Sequence, residues 1–79
     1  MRPHFERHKF ADNAHPLVKH IFTAMNERRI TKKAMAQKAG VEYSSFASWQ
    51  YRGYRPHLAN LEACLNALGY ELVVRKRAS

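Results

Sequence analysis

Thr31-Lys32-Lys33-Ala34-Met35-Ala36-Gln37-Lys38-Ala39-Gly40-Val41, followed closely by Ser44-Ser45-Phe46-Ala47-Ser48-Trp49, is the stretch whose reading decides the fold. The Thr31 hydroxyl is placed to accept from backbone amides two or three residues on, so it predicts an N-cap. Lys32 to Ala39 follows as a run of strong helix formers with Met35, Ala36 and Ala39 facing inward. Gly40 can take the left-handed C-cap conformation without a side-chain penalty, and Val41 supplies the apolar residue that anchors such a stop. A second short helix is predicted from Ser44 to about Tyr51, with Phe46 and Trp49 on its inner face, ending before Gly53. Small Ala36 lets the two helices approach, Gly40 makes the corner, and Val41 and Phe46 close the wedge. The spacing is that of a helix-turn-helix.

Upstream, Pro16 opens a helix whose Leu17, Val18, Ile21, Phe22 and Met25 form one apolar face, with Lys19, His20, Thr23, Asn26 and Glu27 elsewhere on the wheel. Arg28 and Arg29 suit the negative end of its macrodipole. Downstream, Arg55-Pro56 opens another helix with Leu58, Leu61, Leu65 and Leu68 in one stripe, Cys64 beside them and Gly69 as its stop. Tyr70, Leu72 and Val74 then alternate with Glu71, Val73 and Arg75, which predicts a terminal strand before a basic tail. Residues 1–15 lack a sustained period and read as a basic arm with one helical turn at most, pinned by Phe5 and Phe10. The expected organisation is therefore an arm (1–15), a helical domain (16–69) and a C-terminal strand or dimerisation segment with basic tail (70–79). The class is all-α, with four to five helices and an optional short C-terminal β-strand at a dimer interface.

Seventy-nine residues make one small domain, with 46% hydrophobic and 25% charged residues, a globular balance. Fourteen Lys and Arg against six Asp and Glu give a net charge of +8, which favours polyanionic partners. Five of those cations, Lys32, Lys33, Lys38, Arg52 and Arg55, stand against Glu42 alone between residues 31 and 57, leaving +4 there. A single cysteine on the leucine stripe supplies neither a disulfide nor a zinc finger, and reads as a buried, inert thiol. His4 and His8 share a helical spacing but lack further ligands, so neither metal nor cofactor is expected. Six scattered carboxylates offer no acid–base pair, so catalysis is not expected either. The apolar stripes are needed for a core and no 18-residue apolar run or secretory leader occurs, so membrane is not a partner and a cytoplasmic location fits.

The motif residues, together with Gly53, Pro56, Leu58, Leu61 and Ala67-Leu68-Gly69, make the chain resemble the Cro/repressor-type (XRE-like) helix-turn-helix family of bacterial and phage transcription factors from about Leu17 to Gly69. The closing Leu68-Gly69-Tyr70-Glu71-Leu72-Val73 is similar to the end of small repressors and antitoxin-type members. Lys32 stands where the family usually has a glutamine, Tyr43-Ser44-Ser45 opens the second helix in place of the usual residues, and Trp49 to Gly53 is one residue longer than the common form.

The resemblance implies a homodimeric, double-stranded DNA-binding transcriptional regulator, a repressor first, associated with the nucleoid. The alternative is an antitoxin or antiactivator acting through a protein partner, a toxin or an activator, with autoregulatory DNA binding. The second helix would present Tyr43, Ser44, Ser45, Ala47 and Ser48 to bases, with Tyr51 and Gln50 as further candidates. Lys32, Lys33, Arg52, Arg55 and His57 are the phosphate-contact candidates. Tyr70, Leu72 and Val74 are the dimerisation candidates, because pairing with a second copy would satisfy an open strand edge.

Overall fold

The computed structural model describes residues 5–51 and 55–78. They form a small all-helical domain: α1 (Pro16–Arg28), α2 (Lys32–Ala39), α3 (Tyr43–Ala47), a single 3₁₀ turn (Ser48–Gln50) and α4 (Leu58–Ala67). Four of the boundaries have a local cause. The His15 ring Nδ1 accepts from the Leu17 amide at 3.0 Å ahead of Pro16, whose missing N–H costs nothing in a first turn. Thr31 Oγ1 accepts from the Ala34 amide at 3.1 Å and starts α2 as its sequence predicts. Gly40 lies at φ +73°, and the Val41 amide returns to the Ala36 carbonyl at 3.0 Å, closing α2. Gly69, at φ +90°, follows the end of α4 in the same way, with the Tyr70 amide on the Leu65 carbonyl at 2.8 Å.

The core is built where α1 meets α4 and α2 packs against both α3 and α4. Val18, Ile21, Phe22 and Met25 of α1, Met35 of α2, Phe46, Trp49 and Cys64 are all essentially inaccessible. Phe22 stacks on Phe46 at 5.3 Å between centroids, and Phe46 meets Trp49 edge-on at 5.0 Å. From the arm, Phe10 adds its ring to Phe22 at 6.4 Å, so this phenylalanine does pin the N-terminal segment. No helical turn forms in residues 5–10, which run as irregular backbone.

Four expectations are corrected. The second helix of the motif does not continue to Tyr51: it begins at Tyr43, ends at Ala47 and tightens into the 3₁₀ turn. Ser48 Oγ donates to the Ser45 carbonyl at 2.7 Å, the side-chain competition with backbone that makes serine a poor helix interior. Leu58 is 70% exposed, because it is the first residue of α4 and its side chain leans back past the end of the core, which begins at Leu61. Asn26, which its spacing sets off the apolar face of α1, is nonetheless buried.

The terminal strand is also absent, with no strand among the described residues and irregular backbone from Tyr70 to Ala78. A strand needs a ladder partner, and within one copy this segment meets none. Leu72 instead packs partly against the core, while Val73 and Val74 are exposed. Tyr70 is held by its own domain: the His20 ring meets it edge-on at 4.6 Å and the Arg28 guanidinium sits 5.7 Å from its centroid.

Trp49→Ala should cost about 3 to 5 kcal/mol of stability in chemical denaturation, because a large buried ring leaves a cavity. No atom lies within 4 Å of a Cβ built on Gly40, so Gly40→Ala tests conformation alone and should cost about 1 kcal/mol, with Gly40→Asn costing less. Burial pushes the Cys64 thiol up to about 11 from 9.0. The folded state thus holds the proton that the unfolded chain releases, and stability should fall as pH rises from about 9 toward 11. At pH 8 the native thiol should resist a disulfide reagent that reacts at once after unfolding.

Candidate functional site

The turn at Gly40 delivers α3 with Phe46 and Trp49 inward, which leaves Tyr43 half exposed and Ser44 exposed at its start. Ser45, Ala47 and Ser48 are half-buried, and the Ser48 hydroxyl hydrogen is engaged within its own turn. Ser44 Oγ donates to the Glu42 carboxylate, a neighbour that holds the α3 N-terminus without capping a backbone amide. The five base-reading candidates are therefore unequal, with Tyr43 and Ser44 open to a partner and the other three partly covered.

Among the phosphate-contact candidates, Lys33, Arg55 and His57 are exposed. Lys32 is half-buried and its Nζ donates to Gln50 Oε1 at 2.8 Å. Arg52 lies outside the described residues, as does His4. Tyr51 is exposed, and Gln50 is half-buried.

An open groove of about 520 Å³ brings Lys32, Lys33, Tyr43 and Gln50 together with the arm, which supplies Arg7 and Lys9. The arm is fastened along this groove by several bonds. Asn26 Oδ1 accepts from the His8 amide at 2.7 Å, and Asn26 Nδ2 donates to the His8 carbonyl at 3.1 Å. One buried amide side chain thus satisfies both backbone polar groups of a residue, as a neighbouring strand would. His8 Nε2 lies 2.7 Å from the Ile30 carbonyl, and since a carbonyl only accepts, that nitrogen carries the proton. Gln50 completes the fastening: its Nε2 donates to the Lys9 carbonyl, and its backbone carbonyl accepts from the Ala11 amide at 3.0 Å.

No family model matches the chain, and neither a curated protein nor a solved structure is similar to it. Among the described residues no three His, Cys, Asp or Glu side chains converge as metal ligands, and no helix is long and apolar enough to cross a membrane. Every buried side-chain nitrogen and oxygen among the described residues has a hydrogen-bond partner. The exposed polar groups at the groove are what a partner would meet.

Reading by sequence undervalues Arg7, Lys9 and Gln50, which line the groove, and Asn26, which is buried beneath the arm that forms one side of it. Nothing local marks Asn26, since its partner is 18 residues away, or the Gln50 bond to Lys9, 41 residues away. The weak signal is Phe10, an isolated aromatic with no periodic neighbours that has to be buried somewhere.

Asn26→Ala should lower stability by about 1 to 3 kcal/mol, because it orphans the His8 amide and carbonyl together. Amide exchange at His8 should accelerate in that variant well beyond the change at core amides of α1, which NMR would read residue by residue. Asn26→Asp should be as harmful at neutral pH, since a carboxylate cannot donate to the His8 carbonyl.

Proposed function

We propose that this protein is a sequence-specific, double-stranded DNA-binding transcriptional regulator of the Cro/repressor helix-turn-helix type, most simply a repressor, acting as a homodimer. The observation that carries the proposal is the α2–Gly40–α3 unit. Buried Phe46 and Trp49 orient α3 so that Tyr43 and Ser44 stay open at its start, near Lys32 and Lys33. A helix offered this way, N-terminal residues outward, suits insertion into a major groove. The cations around it suit the phosphates that flank one.

Direct reading falls to Tyr43 and Ser44. A phenol can lie against a thymine methyl or sugar while its hydroxyl reaches a phosphate, and a serine hydroxyl can donate or accept at several base edges. Ser48 retains only acceptor capacity while its hydrogen is given to Ser45. With no Arg, Asn or Gln on the exposed start of α3, specificity also draws on duplex shape and ordered water. One short helix reads few base pairs, and two half-sites about 34 Å apart call for a two-fold dimer. The tail from Tyr70 onward is the segment proposed to pair, Val74 being exposed and its backbone without a ladder.

Footprinting on DNA upstream of the protein's own coding sequence, with competition against random duplex, tests the reading. Tyr43→Ala and Ser44→Ala should each reduce the preference for the protected sequence by about 1 to 3 kcal/mol for every base the side chain ceases to touch, with an almost unchanged salt slope. Lys33→Ala and Arg55→Ala should weaken specific and random duplex about equally and lower the log–log salt slope by about 0.9 for every phosphate that is no longer neutralised. Removing residues 70–79 should convert a dimer to a monomer in sedimentation, while affinity insensitive to salt for every duplex would refute nucleic-acid binding altogether.

A further inference from the structure

We infer that the N-terminal arm is a built part of the polyanion surface, a second basic rail that holds one phosphodiester strand of duplex DNA beside α3. The inference rests on the DNA-binding reading above and adds to it residues outside the helix-turn-helix.

Three observations carry it. Arg7 and Lys9 line the same groove as Lys32 and Lys33, so four cations face one open channel, with Glu6 the single carboxylate on its wall. Tyr43 lines that channel as well, which makes the groove continuous with the exposed start of α3. The arm's course is also fixed and not merely draped. His8 is bonded through its backbone amide and carbonyl to buried Asn26, and Gln50 joins the Lys9 carbonyl to the Lys32 ammonium.

That glutamine bridge keeps the charge available. Gln50 uses its amide nitrogen on the arm and its amide oxygen on Lys32, so one neutral side chain holds two basic segments in register without neutralising either. A carboxylate there would hold Lys32 more tightly but cancel its charge toward a ligand. Cations kept close together by neutral fastenings repel one another, and a partner with regularly spaced negative charges relieves that repulsion. A phosphodiester backbone has such charges, about one per 3.4 Å along each strand, and the open groove can receive them.

The test compares the full-length wild-type protein with Arg7→Ala/Lys9→Ala, and with Lys19→Ala/Arg75→Ala as a charge-matched control whose residues do not line the groove. Binding to a fluorescein-labelled mixed-sequence duplex of about 20 base pairs is followed by anisotropy across a salt series. Arg7 and Lys9 side chains are exposed, and the anchoring bond uses the Lys9 backbone, so the thermal melt of the arm variant should match wild type. Its log–log salt slope should drop by about 1.8 per protomer, two phosphates at about 0.9 each, against a far smaller drop for the control. Arg7→Lys/Lys9→Arg should restore the wild-type slope. A wild type that binds duplex while the arm variant's slope drops no further than the control's overturns the arm's role and leaves the DNA reading standing. A wild type that binds no duplex at all overturns both.

Discussion

Phe22 lies fully buried with rings from three other positions around it: Phe10 at 6.4 Å, His8 at 5.8 Å and Phe46 at 5.3 Å, the last carrying Trp49 at 5.0 Å. Each aromatic pair contributes about 0.5 to 1.5 kcal/mol beyond the area it buries, and the geometry is directional. Because α3 spans only five residues, its own backbone bonds hold its axis weakly. Its orientation is set by where Phe46 and Trp49 must go. The same stack seats the arm through Phe10 and His8, so the two edges of the groove share one support.

That arrangement lets a strongly basic chain of +8 fold with no charged side chain buried among the described residues. Asn26 is the one buried polar side chain among them, and it is matched on both its donor and its acceptor to the backbone of a single residue. Burying a neutral amide with both ends satisfied costs little, whereas burying an unpaired cation would cost several kcal/mol. The positive charge therefore lies at the surface, where mutual repulsion destabilises the compact state modestly.

The tail illustrates a different balance. Alternation at Tyr70, Leu72 and Val74 is a strand pattern, yet Leu72 turns to the core and Tyr70 is held by His20 and Arg28. Arg28 also donates to the Leu68 carbonyl at 2.7 Å, tying the end of α1 to the segment where α4 stops. The chain is thus guided out of the domain by its own contacts up to Leu72, with Tyr70 still partly open to solvent and Val73 and Val74 largely uncovered.

The amino-acid sequence by itself determined the elements whose causes are local: the Thr31 cap, the left-handed stops at Gly40 and Gly69, Pro16 at a first turn, and the inward pairing of Phe46 with Trp49. Those features close hydrogen bonds or repeat apolar positions within three to five residues, so residue type and spacing suffice to specify them. Tertiary structure decided the rest. The arm follows the groove because His8 finds Asn26 and Lys9 finds Gln50, partners 18 and 41 residues away that no period in the sequence announces. Leu58 belongs to the leucine stripe by spacing, yet lies outside the core because that core ends one turn later, at Leu61. Likewise the serines of the second motif helix look equivalent in sequence, and become unequal where the backbone tightens into a 3₁₀ turn at Ser48, whose hydroxyl donates to the Ser45 carbonyl while Ser44 stays exposed. Which surfaces meet is a property of the assembled helices, since burial is shared between partners and only their final juxtaposition says which side chains it covers.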